Sequence, residues 1–290
     1  MPAPTIPISY YPGCSLESTG KEYAESIEVM CHKLGVELIE LQGWTCCGAS
    51  SAGVMLGHEG AVALPALTLK QAAEFDRPLL APCAACYNRL MVAQRDLRRE
   101  PHLAEKLEIG PKELAVKILN PVDLIRDIIG LDRLREMVTT PQTGLKVAAY
   151  YGCLLLRPKD MDTYDDPEQP TSIEAIIEAC GATPIEWSGK MDCCGAGLAG
   201  TMQEASEQLV TRIVKLAQHA GADTAVAVCQ LCHLNLESRQ RGLNFPVLYI
   251  SDLVALALGA MGGELGLGRH LIDTRHILAA RAATGATAEH

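Results

Sequence analysis

The cysteines of this chain are written twice in one order, and that repeat constrains the fold more than any other feature. The first half carries Cys14, then the adjacent pair Cys46 and Cys47, then Cys83 and Cys86 as CxxC. The second carries Cys153, then Cys193 and Cys194, then Cys229 and Cys232. From first cysteine to pair there are 31 intervening residues in one half and 39 in the other, and from pair to CxxC there are 35 and 34. Flanking segments repeat as well: ISYYPGCSL matches KVAAYYGCLL, PLLAPCAAC matches TAVAVCQLC, and ILNPVDLI matches LYISDLVA. Matched segments in matched order are the mark of internal duplication. The extra length of the second half sits in LRPKDMDTYDDPEQPTS, a loop by its Pro and Asp content. The boundary falls near TTPQTG, which divides the chain into a first domain over 1–140 and a second over 141–290.

Within each half, apolar runs rich in β-formers alternate with segments of helical spacing. ISYYPG, VELIEL and PLLAPC read as strands of the first half, and KVAAYYG, ATPIEW and TAVAVC as strands of the second. KEYAESIEVMCHKLG, HEGAVALPALTLKQAAEF, SIEAIIEACG and MQEASEQLVTRIVKLAQHAG place apolar residues on one helical face. Strand and helix in alternation imply parallel pairing through right-handed crossovers. The expected fold class is therefore α/β: two repeats related by a pseudo-twofold axis, each a small parallel sheet flanked by helices. Cys14, Cys83, Cys153 and Cys229 then follow strands directly, at the carboxyl ends where such sheets bind ligands. Gly48 and Gly195 follow the pairs and let the backbone turn sharply beside a bulky ligand.

Composition limits what those thiols can be for. With 290 residues, 48% of them hydrophobic, the chain can bury a sizeable core. A net charge of -10 argues against general nucleic-acid binding, which needs a basic surface. The start, MPAPTIPISYYPGC, lacks the order of a signal peptide, and LVALALGAMGG is too short to span a membrane, so a cytoplasmic protein with no transmembrane segment is expected. In a reducing compartment 12 cysteines point to metal or redox chemistry rather than disulfides. Zinc takes four ligands, whereas each half offers five thiols. Adjacent cysteines on an extended segment also point apart, which suits an iron–sulfur cluster touched from two directions better than one tetrahedral ion. Both chemistries stay open on spacing alone.

The order C, CCG, CxxC, with YYPGCSLESTGKEY and WTCCGASS, resembles the cysteine-rich CCG domain and, over nearly the whole chain, the HdrB component of heterodisulfide reductase and its bacterial relatives. That resemblance implies two noncubane [4Fe-4S] clusters. Carried over position by position, it assigns one to Cys14, Cys46, Cys47, Cys83 and Cys86 and the other to Cys153, Cys193, Cys194, Cys229 and Cys232. It also implies an oxidoreductase acting on sulfur groups, making or breaking a small or protein-bound disulfide in two one-electron steps within a larger complex. The implied partners are an HdrA-like flavin subunit and an HdrC-like ferredoxin subunit. The chain itself shows no ferredoxin motif and no GxGxxG after a strand. Two other readings accompany this one: an electron-transfer or docking subunit of a flavin dehydrogenase complex, and a zinc-stabilised scaffold.

Other residues carry paired readings. His233, next to Cys232, is a candidate catalytic proton donor to a departing thiolate, or else a hydrogen-bond partner of cluster sulfur; its counterpart in the first half is Tyr87. Cys31 and Cys180 lie outside the pattern and read as core. Trp44, Trp187, Tyr10, Tyr11, Tyr150 and Tyr151 either shield the thiols or simply pack. Lys21, Arg89 and Arg157 are weak candidates for an anionic substrate, solvated charge being the default. The tail AARAATGATAEH is low in complexity and expected to fray.

Overall fold

Burial on both faces dictates the strands. In the computed structural model, which describes residues 5–49, 52–161, 163, 165–274 and 277, the segment TAVA is buried at every position, as a parallel strand covered by helices on both sides must be. The first sheet holds β1 (Ile6–Tyr10), β2 (Val36–Glu40), β3 (Leu79–Leu80) and β4 (Ile118–Leu119) in the order β2-β1-β3-β4. The second holds β5 (Lys146–Tyr150), β6 (Thr183–Pro184), β7 (Thr224–Ala227) and β8 (Val247–Tyr249) in the order β6-β5-β7-β8. All pairings are parallel, Ile6 opposite Val36 in one sheet and Lys146 opposite Thr183 in the other. The duplication read from the cysteines is thus a duplication of topology, and the two-repeat α/β architecture stands. Among the described residues no helix is long and apolar enough to cross a membrane. The tail expected to fray lies outside the described residues.

Helices join the strands where the spacing placed them. α1 (Lys21–Lys33) turns Tyr23, Ile27, Met30 and Cys31 inward along one stripe, so Cys31 packs in the core as expected. α2 (Gly57–Ala73) and α3 (Ala84–Arg99) follow in the first half. α4 (Ser172–Ala179) buries Ile173, Ile176 and Ile177, with Cys180 buried at its end. α5 (Gln203–His219), α6 (Gln230–Ser238) and α7 (Ile250–Ala257) complete the second half. Burial pushes the Cys31 and Cys180 thiols up to about 12, the behaviour of packed, unreactive groups.

The two halves share one interior. A single core cluster runs from Ile8 and Leu79 through Val147 and Ile176 to Leu253. α1 of the first half packs on α7 of the second. Ser26 Oγ on α1 lies 2.5 Å from Asp252 Oδ1 and 2.7 Å from Ser251 Oγ. Beside it Tyr23 stacks on Tyr249 with ring centroids 4.3 Å apart. The fully buried Tyr23 hydroxyl reaches one carbonyl of each half, Val228 at 3.0 Å and Pro82 at 3.3 Å. These two carbonyls immediately precede Cys229 and Cys83. One phenol therefore ties the starts of both CxxC turns together. Replacing Tyr23 by Phe leaves both buried carbonyls without that donor and is expected to cost about 1–3 kcal/mol. Urea unfolding of the anaerobic protein checks this, and a loss below about 0.5 kcal/mol would contradict the bridging role.

Candidate metal centre

The ten motif cysteines converge on one cavity. It occupies about 460 Å³ between the carboxyl ends of the two sheets and is lined by all ten thiol residues of the pattern. Each half builds its share in the same way. Cys83 is the N-cap of α3 and Cys229 the N-cap of α6, so both sit where helix N–H groups and the helix dipole favour a thiolate. Cys86 and Cys232 follow three residues on, hence on the same helix face. In the CCG turns the neighbouring cysteines differ in exposure: Cys46 and Cys193 are exposed, Cys47 and Cys194 buried.

The sulfur contacts repeat across the halves. Cys14 Sγ lies 3.8 Å from Cys46 Sγ, and Cys153 pairs with Cys193 in the same sense. Cys194 Sγ lies 3.4 Å from Cys232 Sγ, and Cys47 pairs with Cys86 likewise. The glycine after each pair serves its thiol: Gly48 N–H points at Cys46 Sγ over 3.5 Å and Gly195 N–H at Cys193 Sγ over 3.4 Å. Protons are shared unequally within this network. The Cys86 thiol, helped by the Gln230 amide and two backbone N–H groups, holds Cys83 down to about 6 against burial. The Cys153 thiol, with Gly195 N–H, does the same for Cys193, also to about 6. Cys86, Cys153 and Cys232 are pushed up, each first by hydrogen bonding with neighbouring cysteines.

Tyrosines position the CCG turns. Tyr11 Oη donates to the Thr45 carbonyl at 2.7 Å, and Tyr150 Oη to the Asp192 carbonyl at 2.7 Å, in each half the residue just before the pair. Trp44 meets Tyr11 edge-on with centroids 5.5 Å apart, and Trp187 lies 6.2 Å from Tyr150. Trp187 Nε1 donates to Ala149 O and Trp44 Nε1 to Glu40 Oε1. Packing is therefore the reading these four rings support, with the Tyr11 and Tyr150 hydroxyls also holding the CCG turns. Of the aromatic candidates Tyr151 lines the cavity, with its hydroxyl on Glu174. Tyr10 is buried in the core of the first half.

Some expected residues lie elsewhere. His233 does not line the cavity: its Nε2 lies 2.9 Å from the Val247 carbonyl oxygen and its ring stacks on Tyr249 at 4.0 Å. The helix carries Cys232 toward the thiols and the next side chain away from them, so direct proton donation into the cavity finds no support in this placement. Arg89 donates to Ala61 O at 2.5 Å, joining α3 to α2, and neither it nor Lys21 nor Arg157 borders the cavity. No charged side chain does among the described residues; apart from the thiols, the wall includes Ala84, Leu154, Ala196 and Leu231.

Three contributors were not singled out from the sequence. Gln230 of the second half donates from Nε2 to Cys83 Sγ of the first over 3.0 Å, a contact only the folded pair creates. Gly13 and Gly152 hold positive φ of 71° and 66° just before the first cysteine of each half. A Cβ on Gly13 would stand 2.7 Å from Cys86 Sγ, and one on Gly152 would stand 3.3 Å from Cys232 Sγ. Their shared place in PGC and YGC was the available signal.

The comparisons agree with this geometry. The cysteine-rich domain (CCG) pattern matches residues 8–91 and 147–237. The chain belongs to that family. It is 30% identical to the 8-methylmenaquinol:fumarate reductase membrane anchor subunit of Wolinella succinogenes, over 91% of this chain and 96% of that one. It is 28% identical to the HdrB component of the ferredoxin/F(420)H(2)-dependent CoB-CoM heterodisulfide reductase of Methanosarcina acetivorans, over 94% and 96%. In fold it resembles a hypothetical protein from Helicobacter pylori with a TM-score of 0.70 at 13% identity, covering 93% of this chain and 54% of that one. It is thus similar to the HdrB component of heterodisulfide reductase along nearly its entire length.

The glycine geometry makes an asymmetric prediction. Gly13→Ala meets both a positive φ and a thiol inside contact distance, whereas Gly152→Ala meets mainly the φ penalty of about 1–2 kcal/mol. Gly13→Ala should therefore strip metal from the first site while Gly152→Ala retains most of it at the second, as metal content per chain will show.

Proposed function

We propose that this chain is the disulfide-handling iron–sulfur subunit of a heterodisulfide reductase-like complex. One observation carries the reading: all ten motif thiols border a single cavity, five from each half. The donor set fits the group the family implies. Ten soft thiolates suit iron–sulfur ligation, backbone N–H groups aim at their sulfurs, and the glycine before each first cysteine leaves room. Cys14, Cys46, Cys47, Cys83 and Cys86 would hold one noncubane [4Fe-4S] cluster, and Cys153, Cys193, Cys194, Cys229 and Cys232 the other. When bound, the two clusters would each supply one electron, which matches in number the two that an S–S bond needs.

The protein's own groups define the rest. Apolar side chains such as Leu154 and Leu231, both partly exposed, flank the thiols, and a described wall without charged side chains suits a sulfur terminus more than an anionic one. Tyr11 and Tyr150 hold the two CCG turns and Tyr23 the starts of the two CxxC turns. Exposed Val54, Met55 and Leu56, shortly after the first CCG turn, offer an apolar surface for an electron-donating subunit, for which we propose the HdrC-like ferredoxin protein fed by an HdrA-like flavin subunit. A second reading has its own support: the Wolinella relative is named as an anchor subunit of a fumarate reductase, so the clusters would then pass electrons without touching a disulfide.

Anaerobically purified protein is expected to hold roughly eight iron and eight acid-labile sulfide per chain. After one-electron oxidation it should give an EPR signal that appears only with thiol and is lost in Cys46→Ser and Cys193→Ser. Iron-replete protein indifferent to thiol would favour the electron-transfer reading. Zinc on the cysteine sulfurs, without sulfide, would overturn both.

A further inference from the structure

Behind the second CxxC lies a set of ligand-type side chains that the thiol cavity does not use. His233 and Glu237 stand one turn apart on α6, the spacing that puts two side chains on one helix face. His270 comes in from the segment after α7. His233 Nε2 lies 3.8 Å from Glu237 Oε1, and His270 Nδ1 lies 3.6 Å from the same oxygen. One ligand atom from each of the three falls within 4.8 Å of the others, and the side chains are only 4%, 1% and 0% exposed. Among the described residues, Glu237 Oε1 and both ring nitrogens of His270 have no partner at hydrogen-bond geometry, the Val247 backbone being the neighbour of both groups. Buried polar atoms are almost always satisfied, and two of these, Glu237 Oε1 and His270 Nδ1, face each other at 3.6 Å with His233 beside them, which points to something they both bind.

We propose that His233, Glu237 and His270 bind one divalent metal ion, zinc being the best match, at a structural site separate from the thiols. Two imidazoles and a carboxylate are a common zinc donor set, and zinc ligands at about 2.0–2.2 Å stand about 3.4 Å from one another. Contacts of 3.6 and 3.8 Å need to close by only a few tenths. His233 Nε2 shares a hydrogen bond of 2.9 Å with the Val247 carbonyl oxygen, a contact that metal binding would replace.

The surroundings are those of a metal site. Glu237 Oε2 accepts from Leu271 N at 2.8 Å, which leaves Oε1 aimed at the histidines. On the far side of His270, Asp252 Oδ2 lies 3.9 Å from Nε2, where a carboxylate fixes the ring of a metal-bound histidine. Asp252 is itself anchored by Ser26 Oγ at 2.5 Å and Tyr249 N at 2.8 Å. The described ion pairs offer these two buried carboxylates only histidines as counter-charge, and a divalent cation would supply what is missing. The first half provides an internal control. Counting from its CxxC, Tyr87 and Met91 stand where His233 and Glu237 stand, so the packing of this helix does not itself require a histidine and a glutamate. An ion here would fasten the segment carrying His270 onto α6, one residue from Cys232.

The test is transition-metal analysis and zinc-edge X-ray absorption on the full chain, purified anaerobically after expression with added zinc. About one zinc per chain is expected, with a nitrogen and oxygen shell at about 2.0–2.1 Å and no sulfur near 2.3 Å. His270→Gln and Glu237→Gln should each lower zinc at least five-fold and leave iron unchanged. Another divalent ion in the same shell supports the site equally. The proposal is overturned by a zinc-supplied chain holding less than about a fifth of an equivalent, by zinc bound to sulfur alone, or by zinc that persists in both variants. Should a variant fold poorly and lose iron as well, the absorption spectrum of the unaltered chain decides. Zinc on the thiols as well would add sulfur to the spectrum, and the loss of one nitrogen- and oxygen-bound equivalent in the two variants then separates this site from the thiols.

Discussion

Two parallel sheets that turn their carboxyl ends toward one another are the constraint from which the site follows. Each sheet end delivers a first cysteine, a CCG turn and a CxxC at a helix start, and facing ends make one cavity of two sites. The facing is enforced at a single phenol. Tyr23, wholly buried, reaches across to the carbonyls before Cys83 and Cys229, and Tyr249 stacks on it from the second half. Around that pin the Ser26–Asp252 contact and the helix pair α1 and α7 close the shared core. The halves repeat in sequence, but they fold around common contacts.

Gathering ten thiols has an electrostatic consequence. They cannot all ionise beside one another in a largely apolar cavity, and the protein divides them: Cys83 and Cys193 are favoured as thiolates while Cys86, Cys153 and Cys232 are favoured as thiols. Every further thiolate requires positive charge, which the described wall does not provide in side chains. Metal supplies it. The pairing of exposed with buried cysteine in each CCG turn explains the adjacency in the sequence, since two neighbours that differ in exposure can touch one large cofactor on two sides.

Much of this was legible because it is periodic. The doubled cysteine order, the first three strands of each half and the buried stripe containing Cys31 all follow from spacing, and each is found where spacing put it. The fourth strands were not recognised as strands: Ile118–Leu119 and Val247–Tyr249 are too short to show alternation, although the repeat already matched the segments around them. Contacts between the halves were beyond reach for a different reason. Gln230 on Cys83 and Tyr23 between two carbonyls join residues 147 and 205 positions apart, and no local pattern encodes such pairs. His233 shows the opposite hazard: adjacency to a cysteine in sequence placed it near the thiols, but on a helix the next residue points about 100° away, here toward Val247 and His270.

The account rests on two metal clusters sharing one cavity, and iron-edge anomalous diffraction from anaerobically grown crystals reads that arrangement directly. The expected result is two separate groups of iron, one against Cys14, Cys46, Cys47, Cys83 and Cys86 and one against Cys153, Cys193, Cys194, Cys229 and Cys232, facing each other across the same space. Iron at one half alone, or zinc at the cysteines of both, would contradict it.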